Sequence, residues 1–178
     1  AHPLLKKKLN KKLKNKSIHQ IDSSLFSSET FTKLATSLIM DSTINLASLK
    51  PLKLLISLPH EAAYKEKPEY LRRFFASATA SFEKNEIAIK GHPRSIDDQL
   101  LSDLFPETLV INKHVGFEFL LPLLPEDITI VGDASTTLLS AKWLRPELTT
   151  QLLTTDNADE DTLDLFSKLD IHLEQITK

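Results

Sequence analysis

From residue 50 onward the chain alternates short apolar, β-rich runs with segments of helical period, and this alternation narrows the fold more than any other feature of the sequence. Residues 52–58 form an apolar run closed by Pro59. Residues 68–84 carry Leu71, Phe74, Phe75, Ala78 and Phe82 at steps of three or four, which is the period of a helix. A strand is expected over 86–90, closed by Gly91-His92-Pro93, followed by a short acidic helix that Ser95 caps, with Asp97, Asp98 and Asp103 toward solvent. Further strands are expected over 108–112, 128–131 and 151–155, a helical turn over 116–123, and helices over 135–144 and 159–169. A weak strand closes the chain. Strands and helices alternating at this pitch build parallel β-α-β units. The expected fold is therefore α/β, a Rossmann-like parallel sheet with helices on both faces. It occupies residues 49–178, after a basic segment and helical lead-in over 1–48.

In an open parallel sheet, ligands bind beyond the carboxyl ends of the strands. The residues to watch are those that follow each strand: His60 and Glu61, His92 to Arg94, Lys113 and His114, and Asp133 to Thr137. Glycine is scarce, with three in the chain, and two of them, Gly91 and Gly132, directly follow strand-like runs. A glycine there lets the backbone turn tightly and come close to a ligand.

Three of these places have chemistry of their own. Ser135, Thr136 and Thr137 open a helix after a strand, where orphan N–H groups and the helix dipole favour an anion. Ser135 is equally an ordinary N-cap, worth about 1 kcal/mol. In Lys90-Gly91-His92-Pro93-Arg94, the histidine is suited to donate to a phosphate oxygen or assist a leaving group near neutral pH. Pro93 holds that turn rigid, and Lys90 and Arg94 favour an anionic ligand. A plain surface turn is the competing reading. Glu118, among apolar neighbours, is either a helix-surface residue or an acceptor for a ribose diol.

Composition removes several function classes. With 41% hydrophobic and 26% charged residues the chain is ordinary for a globular domain, and a net charge of -2 offers no general attraction to nucleic acid. There is no cysteine, hence no disulfide, thiolate catalysis or Cys-based metal site. No apolar run approaches the roughly 20 residues of a membrane span, and no signal-peptide pattern is read at the start, so a cytoplasmic location is expected. Lys6, Lys7, Lys8, Lys11, Lys12, Lys14 and Lys16 crowd the first stretch, punctuated by Leu4, Leu5, Leu9 and Leu13. They read as a solvated segment, or as a peripheral contact with anionic lipid at the inner membrane, each lysine then adding about 1 kcal/mol. Asp22 and Asp41 read as a cap or turn.

Taken in order, Lys90-Gly91-His92-Pro93-Arg94, then Gly116-Phe117-Glu118-Phe119-Leu120-Leu121-Pro122, then Val131-Gly132-Asp133-Ala134-Ser135-Thr136-Thr137-Leu138, resemble the motifs of bacterial GT-B sialyltransferases and polysialyltransferases. Those families carry a His-Pro motif, a glutamate before an LLP turn, and a Ser-Ser/Thr motif at a helix start. The resemblance spans about residues 50–176. It implies one half of a GT-B fold, the donor-binding half, taking a sugar from CMP-sialic acid to a cell-surface glycan acceptor. His92 would then contact the phosphate and assist departure of CMP. Ser135 and Thr136 would hold that phosphate, Glu118 the ribose hydroxyls, and Gly91 and Pro93 the cytidine. Lys90, Arg94 and Gly132 complete the expected substrate-binding set. The resemblance implies no cofactor and no metal, and no Asp-x-Asp motif is present.

One departure stands against catalysis by this chain. The resemblance puts the general base in an acidic-acidic-glycine motif on an N-terminal domain, and no such motif occurs here. The roughly 48 residues before the first clear strand are too few for an acceptor domain. The sequence then reads as a truncated transferase, a degenerate one, or one whose missing half another chain supplies; the alternative is a non-catalytic α/β module that binds a nucleotide or a protein. A homo-oligomer is compatible with either reading.

Overall fold

A computed structural model describes residues 21–42, 44–60, 68–94, 101, 105–154 and 160–175. Six strands, β1 (Leu54–Ser57), β2 (Ile87–Lys90), β3 (Leu109–Ile111), β4 (Thr129–Gly132), β5 (Thr149–Thr154) and β6 (His172–Gln175), form one sheet in the order β3-β2-β1-β4-β5-β6. Every neighbouring pair is parallel. The expected Rossmann-like sheet is present. The chain runs outward from β1 to β3, returns to the middle, and runs outward again from β4 to β6. Order therefore reverses between β1 and β4, and the carboxyl ends of those strands flank a crevice at the reversal.

Side-chain alternation along the strands divides the core into two layers. Leu55, Ala88, Ile130 and Leu152 face one side of the sheet, while Leu54, Ile56, Ile89 and Val131 face the other. β1 and β2 are buried at all four positions, as expected of central parallel strands covered on both faces. Helix α2 (Pro68–Thr79) covers the second face with Leu71, Phe74, Phe75 and Ala78. The first face receives α1 (Glu29–Asp41), the single turn α3 (Phe117–Leu120), α4 (Thr136–Leu144) and α5 (Glu160–Lys168). Ser28 caps α1, its hydroxyl accepting from the Phe31 N–H at 3.2 Å. Phe31 stacks on Phe119 of α3 at 5.3 Å, so the lead-in helix packs directly against the sheet-covering layer.

Two differences from the expected elements have clear causes. Helical period continued to Phe82, yet α2 stops at Thr79. Beyond it the Glu83 side chain and the Glu86 carboxylate form a reciprocal capping box that starts a 3-10 turn at Lys84. Phe82 still packs against the α2 layer, so its apolar character reports burial rather than helix. The strand expected over 151–155 begins two residues earlier, at Thr149, because β5 pairs along the whole of β4. Asp22 does act as a cap, accepting from the Ser24 N–H at 2.9 Å. The lysine-rich stretch, Glu61 and the Ser95-capped helix with Asp97 and Asp98 lie outside the described residues.

Gly132 ends β4 where two backbones and a helix converge. A Cβ there would meet the Ser57 carbonyl oxygen of β1 at 3.3 Å and the Leu138 side chain of α4 at 3.5 Å. Alanine usually stabilises a strand relative to glycine by about 0.5–1 kcal/mol. At this position we expect the opposite: Gly132→Ala destabilises by about 1–3 kcal/mol, because β1, β4 or Leu138 must give way. Urea unfolding of the variant should show a lower midpoint at unchanged slope. An equal or higher midpoint would show that the junction is looser than its distances indicate.

Candidate functional site

The crevice at the reversal is a cleft of about 480 Å³. Its walls are the segments that follow the first four strands. After β1 come Leu58, Pro59 and His60; after β2, Gly91, His92 and Pro93. After β3 come Lys113 to Gly116, leading into Phe117 and Glu118 of α3. Asp133, Ser135, Thr136 and Thr137 close the cleft between β4 and α4. His92, Glu118, Ser135 and Thr136 are thus brought to one place from three separate loops. β2 and β4 are two strand spacings apart, about 10 Å, which leaves room for one phosphate with a hydrogen bond on each side.

The other expected residues take different parts. Lys90 is buried at 4% exposure and lies in the cleft wall. Its ammonium donates to the carbonyl oxygens of Lys113 at 3.0 Å and of Gly91 and Asn112 at 3.4 Å. Lys90 therefore pins the loop after β3 to the end of β2, and its charge underlies the cleft. Arg94 is exposed and is not among the lining residues; its backbone N–H serves the site instead, donating to His92 Nδ1 at 3.1 Å. Gly132 lies beneath the cleft, and Gly91 and Pro93 line it.

Four lining residues were placed at strand ends by sequence but given no role: His60, Lys113, His114 and Asp133. Their position after a strand was the available signal, and nothing local distinguished them from turn residues. His60 meets His92 edge to face, with ring centroids 5.2 Å apart.

Electrostatics follow from this crowding. Burial, and then the positive charges of Arg94, His60 and Lys90, hold the His92 imidazole below its ordinary pKa of 6.5. At neutral pH the ring is uncharged, and since Nδ1 accepts from Arg94 its proton sits on Nε2. Asp133 moves the other way: burial pushes its carboxyl above the usual 3.8, with partial relief from its own backbone N–H. Asp133 Oδ1 and Ser135 Oγ are both buried with no hydrogen-bond partner. Ser135 holds the N-cap position of α4, but its hydroxyl makes no capping bond to the helix. The ordinary N-cap reading thus holds for the backbone and fails for the side chain. Glu118 accepts from Ser140 of α4 at 3.2 Å, which ties α3 to α4 across the cleft rim.

Such a site suits an anion: a neutral imidazole donor, a helix N-terminus, three hydroxyl residues and the partly buried Lys113 face one space. Among the described residues, no group of three or more His, Asp or Glu is arranged to hold a metal ion. No described helix is long and apolar enough to cross a membrane. The chain matches no family model, no characterised protein and no solved structure.

The two shifted groups act oppositely on stability. For His92 the unfolded chain binds more protons below pH 6.5, so its contribution is present at neutral pH and lost as pH falls from 6.5 toward the lowered folded value. For Asp133 the folded chain binds more protons, so stability falls as pH rises from 3.8 through the raised folded value. Asp133→Asn should therefore gain on the parent protein as pH rises from 3 to 7 in thermal unfolding, because it never carries the buried charge. A difference in melting temperature that stays constant over this range would show that Asp133 ionises without penalty.

Proposed function

We propose that the chain binds a nucleotide sugar in this cleft, as the donor half of a CMP-sialic acid-dependent glycosyltransferase. The observation that carries the reading is the convergence of His92, Glu118, Ser135 and Thr136, from three sequence-distant motifs, on the reversal point of a parallel sheet. The phosphate lies between the N-terminus of α4 and the His92 imidazole. Glu118 accepts from the ribose hydroxyls, exchanging or sharing its bond with Ser140. During transfer the bond between the anomeric carbon and the phosphate oxygen breaks while the acceptor oxygen attacks. Negative charge grows on that phosphate oxygen, and the Nε2–H of His92 and the helix N–H groups stabilise it. The acceptor's proton leaves to a base that this reading places on another domain or chain. The glycan acceptor, the location at the inner face of a membrane and any association with a second copy belong to the same proposal.

A non-catalytic nucleotide-binding module is the second reading, favoured by the absence of an acidic-acidic-glycine motif from the sequence. Both readings require nucleotide binding, and they part on turnover.

Titration with CMP, UDP and GDP tests the shared step. CMP at a hundred times its dissociation constant should raise unfolding stability by about 2.7 kcal/mol. Replacing His92 by Ala should cost roughly 1.5–3 kcal/mol of CMP affinity, since it removes a donor to a charged oxygen. Stabilisation by UDP or GDP with none by CMP would overturn the CMP-sugar assignment. Transfer of sugar by the chain, alone or with a separately supplied acceptor domain, would decide against the module reading.

A further inference from the structure

Among the lining groups that the nucleotide reading leaves unused, Asp133 is the one that a phosphate would meet most awkwardly. Asp133 stands between the end of β4 and the first residue of α4, in the wall where the anion would sit. Its position has little latitude, because Gly132 before it is held against the Ser57 carbonyl and Leu138. Oδ1 of Asp133 and Oγ of Ser135 are buried without partners, two residues apart on the same wall. A carboxylate and a phosphate sharing one desolvated space cannot both stay fully ionised, and a proton taken up by one of them relieves the repulsion.

We propose that Asp133 couples anion binding to proton uptake: as the phosphate enters, the carboxyl takes a proton from solvent and donates the resulting O–H to a phosphate oxygen. Repulsion is thereby replaced by a hydrogen bond to a charged acceptor. The inference rests on the phosphate placement given above. The other titratable groups facing this space are His60 from the end of β1, Lys90 and His92 from β2, Lys113 and His114 from the loop after β3, and Glu118 from α3. The lysines on the β2–β3 side attract the anion, whereas Asp133 is the acid beside the α4 N-terminus. Burial favours its protonated form.

The experiment is calorimetric titration of the whole chain with inorganic pyrophosphate and, separately, with CMP. Each is run between pH 6 and 8 in buffers of different ionisation enthalpy. The expected result is net proton uptake on binding, with affinity falling by up to tenfold per pH unit over part of the range. Asp133→Asn, which keeps a donor and cannot ionise, should take up about one proton fewer, lose that pH dependence and bind more tightly than the parent at pH 8. The histidines also face the cleft, so His60→Gln and His92→Gln serve as controls and should leave the Asp133-dependent component in place. Equal proton uptake by Asp133→Asn and the parent would overturn the proposal. So would a uniform loss of affinity in that variant at every pH, which would make the carboxylate an acceptor for a ligand hydroxyl. If the variant fails to fold, absence of net uptake by the parent overturns the proposal on its own. Uptake with pyrophosphate but no binding of CMP would sink the nucleotide reading and leave this one standing; no binding of either would sink both.

Discussion

The parallel pairing of β1 with β4 is the contact on which the rest of the molecule depends. It joins the two halves of the sheet, aligning Leu54 to Ser57 with Thr129 to Gly132. It also reverses the strand order, so the chain leaves β1 and β4 toward opposite faces of the sheet and the loops after them flank the cleft. The absence of a side chain at Gly132 permits that pairing at its last position, where the Ser57 carbonyl would crowd any Cβ. A wider gap at this junction would separate the α4 N-terminus from the loops that face it.

Polar groups buried around the cleft give it its character. Lys90 would be costly at its depth without its carbonyl partners, and those partners are the ends of the segments it holds together. The cation thus works first as a structural clip. Burial, then the charges of Arg94 and His60, and last that of Lys90, keep the His92 ring neutral. A neutral imidazole with its proton on Nε2 is a donor that needs no acid conditions, which suits a site meant to receive an anion at neutral pH. On the opposite wall, Asp133 Oδ1 and Ser135 Oγ are buried without a hydrogen-bond partner from the protein.

The lead-in before the sheet is part of the same packed body. Phe26, in the 3-10 turn Ser23–Ser27 before α1, meets Phe31 and Trp143 edge to face, and Phe31 stacks on Phe119, so the turn reaches α4 and α1 reaches α3. These contacts brace Glu118 and the outer side of the cleft from behind. Leu34 and Leu38, one helical turn apart on α1, remain exposed at 50% and 40%, as does Trp143 at 47%.

Strand and helix identities were legible in the sequence because the central strands are mostly apolar and α2 shows its buried face every three or four residues. That periodicity arises from local geometry and two-sided burial, so 52–58, 86–90 and 128–131 announced themselves as strands. Parallel order followed from alternation, and the positions after strands followed from parallel order. Candidate residues could thus be named one loop at a time. Which of them meet was decided by the tertiary structure, because convergence depends on the strand order across the sheet and not on distance along the chain. Hence Lys90, which read as a ligand contact, became a clip. Arg94 contributed its backbone N–H to His92 and its charge to the lowered proton affinity of that ring, and His60 and Asp133, indistinguishable from turn residues in sequence, became walls of the cleft. Burial, which sets the direction of the His92 and Asp133 proton equilibria, is a property of the assembled sheet, and no local run of residues encodes it.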